Sequence, residues 1–411
     1  MSTSVASQFT VAAASGGVTA AQGFTAAGLQ CGIKAKAGAL DLSVLAAETA
    51  VPAAGIFTTN LAQAAPVTVS KRHLEASHGL VRAIVVNSGC ANACTGAAGM
   101  SDARQMAAET AAQLGCLPEQ VLVASTGVIG VNLTMDKVVA GIRAAAAALG
   151  REHGSVMARA IMTTDPFPKE HAVTVKTPRG TFTVGGTAKG SGMIEPNMAT
   201  MLGFLATDAK VLPAVLQRVL RASADDTFNA ITVDGECSTN DCVFAMASGA
   251  SGVEIDDELY PALAAGFYTV SRELAMGIVR GGEGATKLIT IAVTDAHSVA
   301  DARRVAKTIA NSPLVKTAVH GADPNWGRIV AAAGRAGVSF DVDSATVHVG
   351  GILLFEHGLP HDGNAPLAAG HLKQADVSIE VDLGTGGGGN ATVWTCDLSA
   401  EYVKINGEYR T

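Results

Sequence analysis

One threonine stands where a predicted turn meets an apolar strand, an arrangement that suits acyl transfer. The stretch KGSGMIEPNMATMLGFLATDA occupies residues 189–209. Its Pro/Asn turn precedes Thr200, and the apolar residues that follow predict a buried strand. A threonine hydroxyl is a weak nucleophile that needs an adjacent base. Cleavage between Ala199 and Thr200 would supply that base, because a free α-amino group has a reference pKa of about 8.

The cleavage needs only the chain and water. The Thr200 hydroxyl attacks the Ala199 carbonyl carbon, the acyl group moves from nitrogen to oxygen, and water hydrolyses the ester. Taken alone, a threonine in an apolar strand is more often a packing residue, because β-branched side chains suit a sheet. The turn ahead of Thr200 favours the nucleophile interpretation.

Thr126 and Gly127 are candidates for binding the oxyanion of such a reaction. They follow the predicted strand in EQVLVASTGVIG, residues 119–130, at a predicted sharp turn formed by Ser125, Thr126 and Gly127. Hydrogen-bond donors aimed at a developing oxyanion are commonly worth about 3 to 4 kcal/mol each. A hydroxyl and a backbone N–H could serve, although the same residues also fit an ordinary turn.

The elements around these residues predict an α/β protein. A strand in VRAIVVNSGCANACTG, residues 81–96, is predicted to end at the turn Asn87-Ser88-Gly89. A helix follows Thr134 as its cap and stops at Gly150. Further helices are predicted at residues 212–224, 256–278 and 300–310, and strands in a hairpin around Pro178-Arg179-Gly180 and in KLITIAV, SFDVD and ATVWTCDL.

Length and composition limit the classes to which the protein can belong. A chain of 411 residues favours two domains or one large α/β unit. The net charge of −7 and the scattered lysines and arginines argue against a nucleic-acid partner. No basic signal region precedes Lys34 and no apolar run is long enough for a membrane helix, so a cytoplasmic protein is expected.

Several cofactor motifs are incomplete. The seven cysteines have irregular spacings typical of reduced thiols, without a zinc pattern, so no metal is expected. GTGGGG precedes a strand-like segment instead of a helix, and GGEGATK lacks the order of a phosphate-binding loop. The ten histidines show no dyad spacing.

The chain resembles the ornithine acetyltransferase family, the bacterial glutamate N-acetyltransferases of arginine biosynthesis. The segment around Thr200 is similar to the self-cleavage segment of that family, and further motifs cover nearly the whole chain in family order. They are NSGCANACTG, STGVIG, AIMTTDPFPK, FNAITVDGECSTND, GGEGATK, HGADPNWGRI and DLGTGGGGNATVWTCDLSAEYVKINGEYRT.

The resemblance implies a layered αββα sandwich of the ornithine acetyltransferase/DmpA type with a smaller α/β domain. It also implies self-cleavage into an α chain, residues 1–199, which carries the oxyanion hole and substrate contacts, and a β chain, residues 200–411, with the nucleophile first and a substrate-binding tail last. The two chains are expected to stay together and to pair again as a heterotetramer.

Site residues follow from the same resemblance. Thr200 is implied as the nucleophile, Ala199–Thr200 as the cleaved bond, and Thr126 with Gly127 as the oxyanion hole. The implied substrate contacts are Thr163, Lys189, Thr200, Glu283, Asn406 and Thr411.

The charges of these residues suit the implied donor. N-acetylornithine carries an α-carboxylate and a side-chain ammonium, so Lys189 and Glu283 could pair with its two ends. Asn406 and Thr163 would orient it by hydrogen bonds. Which charge meets which group is left open.

The implied reaction is ping-pong. N2-acetylornithine acetylates Thr200, ornithine leaves, and the glutamate amine takes the acetyl group without a dissociable cofactor. Whether acetyl-CoA also serves as donor, which would make the enzyme bifunctional, is left open. The alternatives are a self-processing amidohydrolase or aminopeptidase with an N-terminal nucleophile, and a non-catalytic α/β protein in which Thr200 is a core residue.

Overall fold

The computed structural model describes residues 9–195 and 201–408 and contains two α/β units. The strands of the larger unit are β1 (Thr10–Ala14), β2 (Phe24–Leu29), β3 (Leu42–Phe57), β4 (Leu80–Cys90), β5 (Val121–Val128), β6 (Lys169–Thr177), β7 (Gly180–Lys189), β8 (Leu202–Thr207) and β9 (Cys242–Ala247). Its helices are α1 (Ala65–Ala76), α2 (Gly96–Leu114), α3 (Met135–Ala147), α4 (Gly154–Ala160), α5 (Pro213–Asp225) and α6 (Tyr260–Arg280).

The larger unit is a four-layer αββα sandwich, as expected. Side chains of β2 to β5 meet those of β8 and β9 in the central core, where Phe24 and Phe244 are fully buried. Helices α5 and α6 cover the outer face of one sheet layer, and α1, α2 and α3 cover the other. Apolar residues therefore fill three parallel interfaces.

Strand β3 joins the two sheet layers. Its first part, from Leu42, pairs antiparallel with β2 and β4, and its last part, Ala53 to Phe57, pairs with β9. The strand order β1-β6-β7-β8-β9-β3-β4-β5, with β2 beside β3, thus runs continuously through both layers. Strand β8 lies between β7, which is antiparallel to it, and β9, which is parallel.

The smaller unit has its own sheet and core. Its strands are β10 (Leu288–Ala296), β11 (Thr346–Val349), β12 (Ile352–Glu356), β13 (Leu359–Pro360), β14 (Asp376–Asp382) and β15 (Gly389–Cys396), in the order β13-β12-β11-β14-β10-β15. Four helices pack with this sheet around one apolar core: α7 (Val299–Ala310), α8 (Pro313–His320), α9 (Trp326–Gly334) and α10 (Ala365–Leu372). A final helix, α11 (Ala400–Glu408), returns to the larger unit.

The predicted turns at residues 87–89 and 125–127 are wrong. Both segments remain in parallel β-structure, where Asn87 pairs with Ser125 and Gly89 with Gly127. The small polar residues do not end the strands, because their side chains satisfy one another: the Ser125 hydroxyl donates to Asn87 Oδ1 at 2.6 Å.

Two other local predictions need correction. SFDVD is not a strand: the Asp341 carboxylate accepts the Asp343 N–H and starts a short 3₁₀ turn. Helix α3 ends at Ala147, before Gly150, which instead exchanges backbone hydrogen bonds with Ala26. Thr134 stands at the N-cap position but makes no capping side-chain bond. No helix in residues 9–195 and 201–408 is long and apolar enough to span a bilayer.

Candidate active site

Thr126 and Gly127 lie side by side near the end of β5 and line one cleft. The Gly127 φ angle is +130°, and a Cβ atom there would lie 2.3 Å from the carbonyl carbon of Gly89. Only glycine therefore fits without displacing the backbone of β4. Pairing of the two strands fixes the Thr126 hydroxyl and the Gly127 backbone beside the cleft.

Lys189 ends β7 and is the only lysine or arginine among the described residues that line the cleft. It is 8% exposed, and its Nζ donates a long hydrogen bond of 3.4 Å to Thr126 Oγ1. The predicted substrate-binding lysine and the predicted oxyanion hole are thus neighbours.

A buried ion pair supports this end of the cleft. Lys169 Nζ lies 2.6 Å from Asp165 Oδ1, and both side chains are at most 1% exposed. Burial acts to raise the pKa of Asp165, but the positive charges of Lys189 and Lys169 outweigh it and lower that pKa to about 2. The same carboxylate accepts the N–H groups of Thr163 and Gly190. Asp165 therefore joins the segment of Thr163, which lines the cleft, to the end of β7.

Glu283 and Asn406 meet in the same cleft although they are 123 residues apart. Asn406 Nδ2 on α11 donates to Glu283 Oε2 at 2.9 Å. The Glu283 N–H donates to the Ser191 carbonyl, and a Cβ atom at Gly192 would lie 2.4 Å from Glu283 Oε2. Gly192 therefore leaves the space that this carboxylate occupies.

Asp397 connects the Glu283 segment to the chain that leads into α11. Its carboxylate accepts the N–H groups of Thr286 and Lys287, the Thr286 hydroxyl at 2.6 Å, and lies 2.7 Å from His320 Nδ1. Burial acts to raise the pKa of Asp397, but the hydrogen bonds from Thr286 and His320 outweigh it and lower that pKa.

Three predicted residues, Ala199, Thr200 and Thr411, lie outside the described residues. Met201 directly follows Thr200 in the sequence; it lines the cleft and is 2% exposed. The next residue, Leu202, begins β8 and pairs with Lys189. Strand β8 therefore begins at the cleft that holds the other predicted residues.

The sequence did not single out several residues of the cleft, which encloses about 160 Å³. They include Thr164, Asp234, Glu236, Ser238, Asn240, Asp241 and Tyr402. Most lie in the motif FNAITVDGECSTND, to whose single residues the resemblance assigns no role. Its run of short polar residues between a helix and a buried strand was the available signal.

Asp234 supports the segment that leads toward the predicted cleavage bond. Its carboxylate accepts the N–H groups of Met193 at 2.7 Å and Ile194 at 2.8 Å. The Tyr402 hydroxyl of α11 donates to the same carboxylate at 3.3 Å. Asp234, Glu236 and Glu283 line the same cleft as Lys189, a combination of charges that suits a ligand carrying both signs.

Comparison with known proteins identifies the relatives of this chain. The ArgJ family model matches residues 25–411. An arginine biosynthesis bifunctional protein ArgJ of Symbiobacterium thermophilum is 49% identical over 400 residues, which cover 96% of this chain and 99% of the relative. The corresponding protein of Dehalococcoides mccartyi is 48% identical over 404 residues, covering 96% and 98%.

A solved structure agrees with the sequence relationship. The crystal structure of an arginine biosynthesis bifunctional protein from Bacillus halodurans has 42% sequence identity and a TM-score of 0.50. The match covers 51% of this chain and 100% of that one. The chain therefore belongs to the ArgJ family.

Proposed function

We propose that this protein transfers an acetyl group from N2-acetylornithine to glutamate in arginine biosynthesis, through an acetyl ester on Thr200. One observation carries the proposal. Every predicted site residue in the described part of the chain lines a single cleft, although these residues come from distant segments. They are Thr126, Gly127, Thr163, Lys189, Glu283 and Asn406.

The proposed chemistry begins with cleavage at Ala199–Thr200. The new α-amine then takes the proton of the Thr200 hydroxyl, and the oxygen attacks the acetyl carbon of acetylornithine. The Thr126 hydroxyl and the Gly127 N–H donate to the oxyanion. The C–N bond breaks, the leaving amine takes the proton from the Thr200 amine, and ornithine departs. The amine of glutamate attacks the ester by the reverse sequence and leaves as N-acetylglutamate.

Charge complementarity supports a zwitterionic donor. We propose that Lys189 binds the α-carboxylate and that Glu283, held by Asn406, binds the side-chain ammonium. Glu283→Gln should raise KM for acetylornithine about tenfold, because it removes a charge-assisted hydrogen bond. The matched variant Glu236→Gln also neutralises a cleft carboxylate and should change KM less. An unchanged KM in Glu283→Gln would contradict the proposed pairing of Glu283 with the side-chain ammonium.

The central experiment measures processing and acetyl transfer together. Purified protein on a denaturing gel should give fragments of residues 1–199 and 200–411, whereas Thr200→Ala should stay intact and inactive. Labelled acetyl groups should pass from acetylornithine to glutamate. Active protein that runs as one intact chain contradicts the nucleophile, and release of acetate without transfer favours the amidohydrolase alternative.

We propose acetyl-CoA as a second donor, since the relatives carry the name bifunctional protein. A donor panel with acetyl-CoA and acetylornithine, each with glutamate as acceptor, tests this. Formation of N-acetylglutamate from acetylornithine alone would show a single activity.

We further propose that the protein works in the cytoplasm without a bound cofactor or metal, as an assembly of two α and two β chains. Light scattering of the processed protein, combined with a denaturing gel, should give the mass of two 41.4 kDa chains. A mass of one such chain would exclude the heterotetramer.

A further inference from the structure

Asp241 is a buried acid in the cleft that the reaction described above does not use. It immediately precedes β9, is 3% exposed, and lines the cleft. Its backbone is fixed: the carbonyl accepts the Thr58 N–H, and the next N–H, of Cys242, donates to the Met201 carbonyl. Its side-chain oxygen Oδ2 has no hydrogen-bond partner among the described residues.

Such an oxygen is costly unless a ligand or a proton satisfies it. Burial raises the pKa of Asp241 well above its usual value, against the hydrogen bonds from Ser238 and the positive charge of Lys189. The carboxyl group is therefore held in its neutral form over a wider pH range than an exposed aspartate.

The charges around Lys189 show why a neutral Asp241 matters. Asp165 is already paired with Lys169. The Lys34 ammonium, whose pKa is lowered mainly by burial and also by the charge of Lys189, donates to two backbone carbonyls and lies in the field of Asp41. With Asp241 neutral, the three lysines of this cluster outnumber its two other aspartates, so one positive charge is left for a ligand. An ionised Asp241 would cancel that charge.

We propose that Asp241 is a specificity residue of the cleft, which holds a proton while Lys189 binds the carboxylate of an amino-acid substrate and whose Oδ2 donates a hydrogen bond to that carboxylate. The inference rests on the proposed function, because its donor and its acceptor both carry an α-carboxylate. It explains how one cleft could select amino acids over amines of the same length.

The groups that act on Asp241 come from few elements. Lys189 reaches it from β7, Ser238 from its own loop, and the Cys242 thiol from β9. Burial raises the pKa of Cys242 well above its usual value, so this thiol stays neutral. As the pH rises through the raised pKa of Asp241, the acid ionises and carboxylate binding should weaken.

Calorimetric binding to the full-length protein tests the inference with two unreactive probes. Ornithine carries the carboxylate, and 1,4-diaminobutane lacks it. Asp241→Ala should weaken ornithine binding about tenfold or more, as expected for a lost hydrogen bond to a charged group, and leave 1,4-diaminobutane binding unchanged. Equal ornithine affinity in Asp241→Ala and the wild type overturns the proposal, as does equal weakening of both probes.

The variant Asp241→Asn provides an independent test if Asp241→Ala does not fold. Asp241→Asn is isosteric, neutral and able to donate, so it should bind ornithine within about threefold of the wild type at pH 7. As the pH is raised through the pKa of Asp241, the affinity of the wild type should fall relative to that of Asp241→Asn. Taking this ratio cancels the titration of ornithine itself. A constant ratio overturns the proposal.

Glu170→Gln is the matched control, because Glu170 also has a raised pKa caused by burial and an unpartnered Oε1 among the described residues, but does not line the cleft. It should bind both probes like the wild type. Failure of acetyl exchange with intact, Asp241-dependent ornithine binding would refute the proposed function alone, and wild-type protein that does not bind ornithine would refute this inference.

Discussion

Gly127 has no room for a side chain, and its function depends on that. The residue lines the cleft with a left-handed backbone and lies against the Gly89 backbone of β4. A larger residue would push β5 away from β4 at the position where the two proposed oxyanion donors lie. Packing of two strands and stabilisation of the oxyanion are therefore properties of the same residue.

Gly127→Ala should lower kcat about 100-fold or more, because the displaced N–H no longer meets the oxyanion. Gly130→Ala is the control: Gly130 also has a positive φ, of +77°, but a Cβ atom there would meet no other atom within 4 Å. Gly130→Ala should lower the free energy of unfolding by about 1 kcal/mol and leave kcat unchanged. Equal kcat values in the two variants would contradict the role of Gly127.

Asp165→Asn should destabilise the protein by about 3 to 5 kcal/mol, because it leaves the buried ammonium of Lys169 unpaired. Denaturant unfolding at pH 7 measures this. Asp256→Asn is the matched control, since Arg179 likewise lowers the pKa of Asp256 to about 2 but that pair is exposed. A comparable loss of stability in both variants would contradict the argument from burial.

The pH dependence follows from the same pair. The folded pKa of Asp165, about 2, lies below the unfolded value of about 3.9, so its stabilising contribution is present above pH 4. That contribution should be lost as the pH falls from about 4 to about 2. In Asp165→Asn, the slope of unfolding free energy against pH should be smaller in this window.

At the scale of elements, α11 completes the cleft from the far end of the chain. Its Asn406 and Tyr402 contact Glu283 and Asp234, which belong to the loops of the larger unit. The helix has no buried residue in its described length, so its own packing does little to hold it. Its position therefore depends on hydrogen bonds, those of Asn406 and Tyr402 within the helix and those of Asp397 before it.

Asp397→Asn should therefore raise KM for acetylornithine several-fold and lower the unfolding free energy by about 2 kcal/mol, the scale of a charged hydrogen bond. Steady-state kinetics and denaturant unfolding measure the two effects. Asp382→Asn offers a control, because Asp382 also accepts a threonine hydroxyl, from Thr294, but at the surface of the smaller unit. An unchanged KM in Asp397→Asn would show that the helix is held without this carboxylate.

At the scale of the whole molecule, the proposed cut would fall between paired strands. Strand β7 of the α chain pairs with β8 of the β chain, and β3 pairs with β9. The central core also contains side chains from both sides of the cut. The two chains would share one sheet and could not be separate domains.

The processed chains should therefore co-elute in native gel filtration and separate only in denaturant. Each chain expressed alone should fail to fold, because it would expose half of a sheet core to water. Circular dichroism of the separate chains and of their mixture measures this. A folded, monomeric β chain would contradict the shared-sheet description.

The sequence was informative where a pattern is local. Apolar alternation predicted the β6–β7 hairpin, and helical spacing predicted α5 and α7 to within a few residues. The polar ends of β4 and β5 were mistaken for turns, because their side chains are satisfied across the sheet by residues about 38 positions away.

The site was predictable mainly through whole motifs. Each of Lys189, Glu283 and Asn406 alone resembles an ordinary surface residue, and only the fold brings them to one cleft. Asp241 had no local signal, because burial by distant strands is what makes its carboxyl group unusual.

The position of β8 between β7 and β9 also bears on how the enzyme would mature. A strand that pairs on both sides reaches its place only when the rest of the sheet has formed. If the cleft itself carries out the cut, an incompletely folded chain cannot become active. The uncut fraction in a cell would then measure the amount of incompletely folded protein. Only molecules in which the whole sheet had formed would be active.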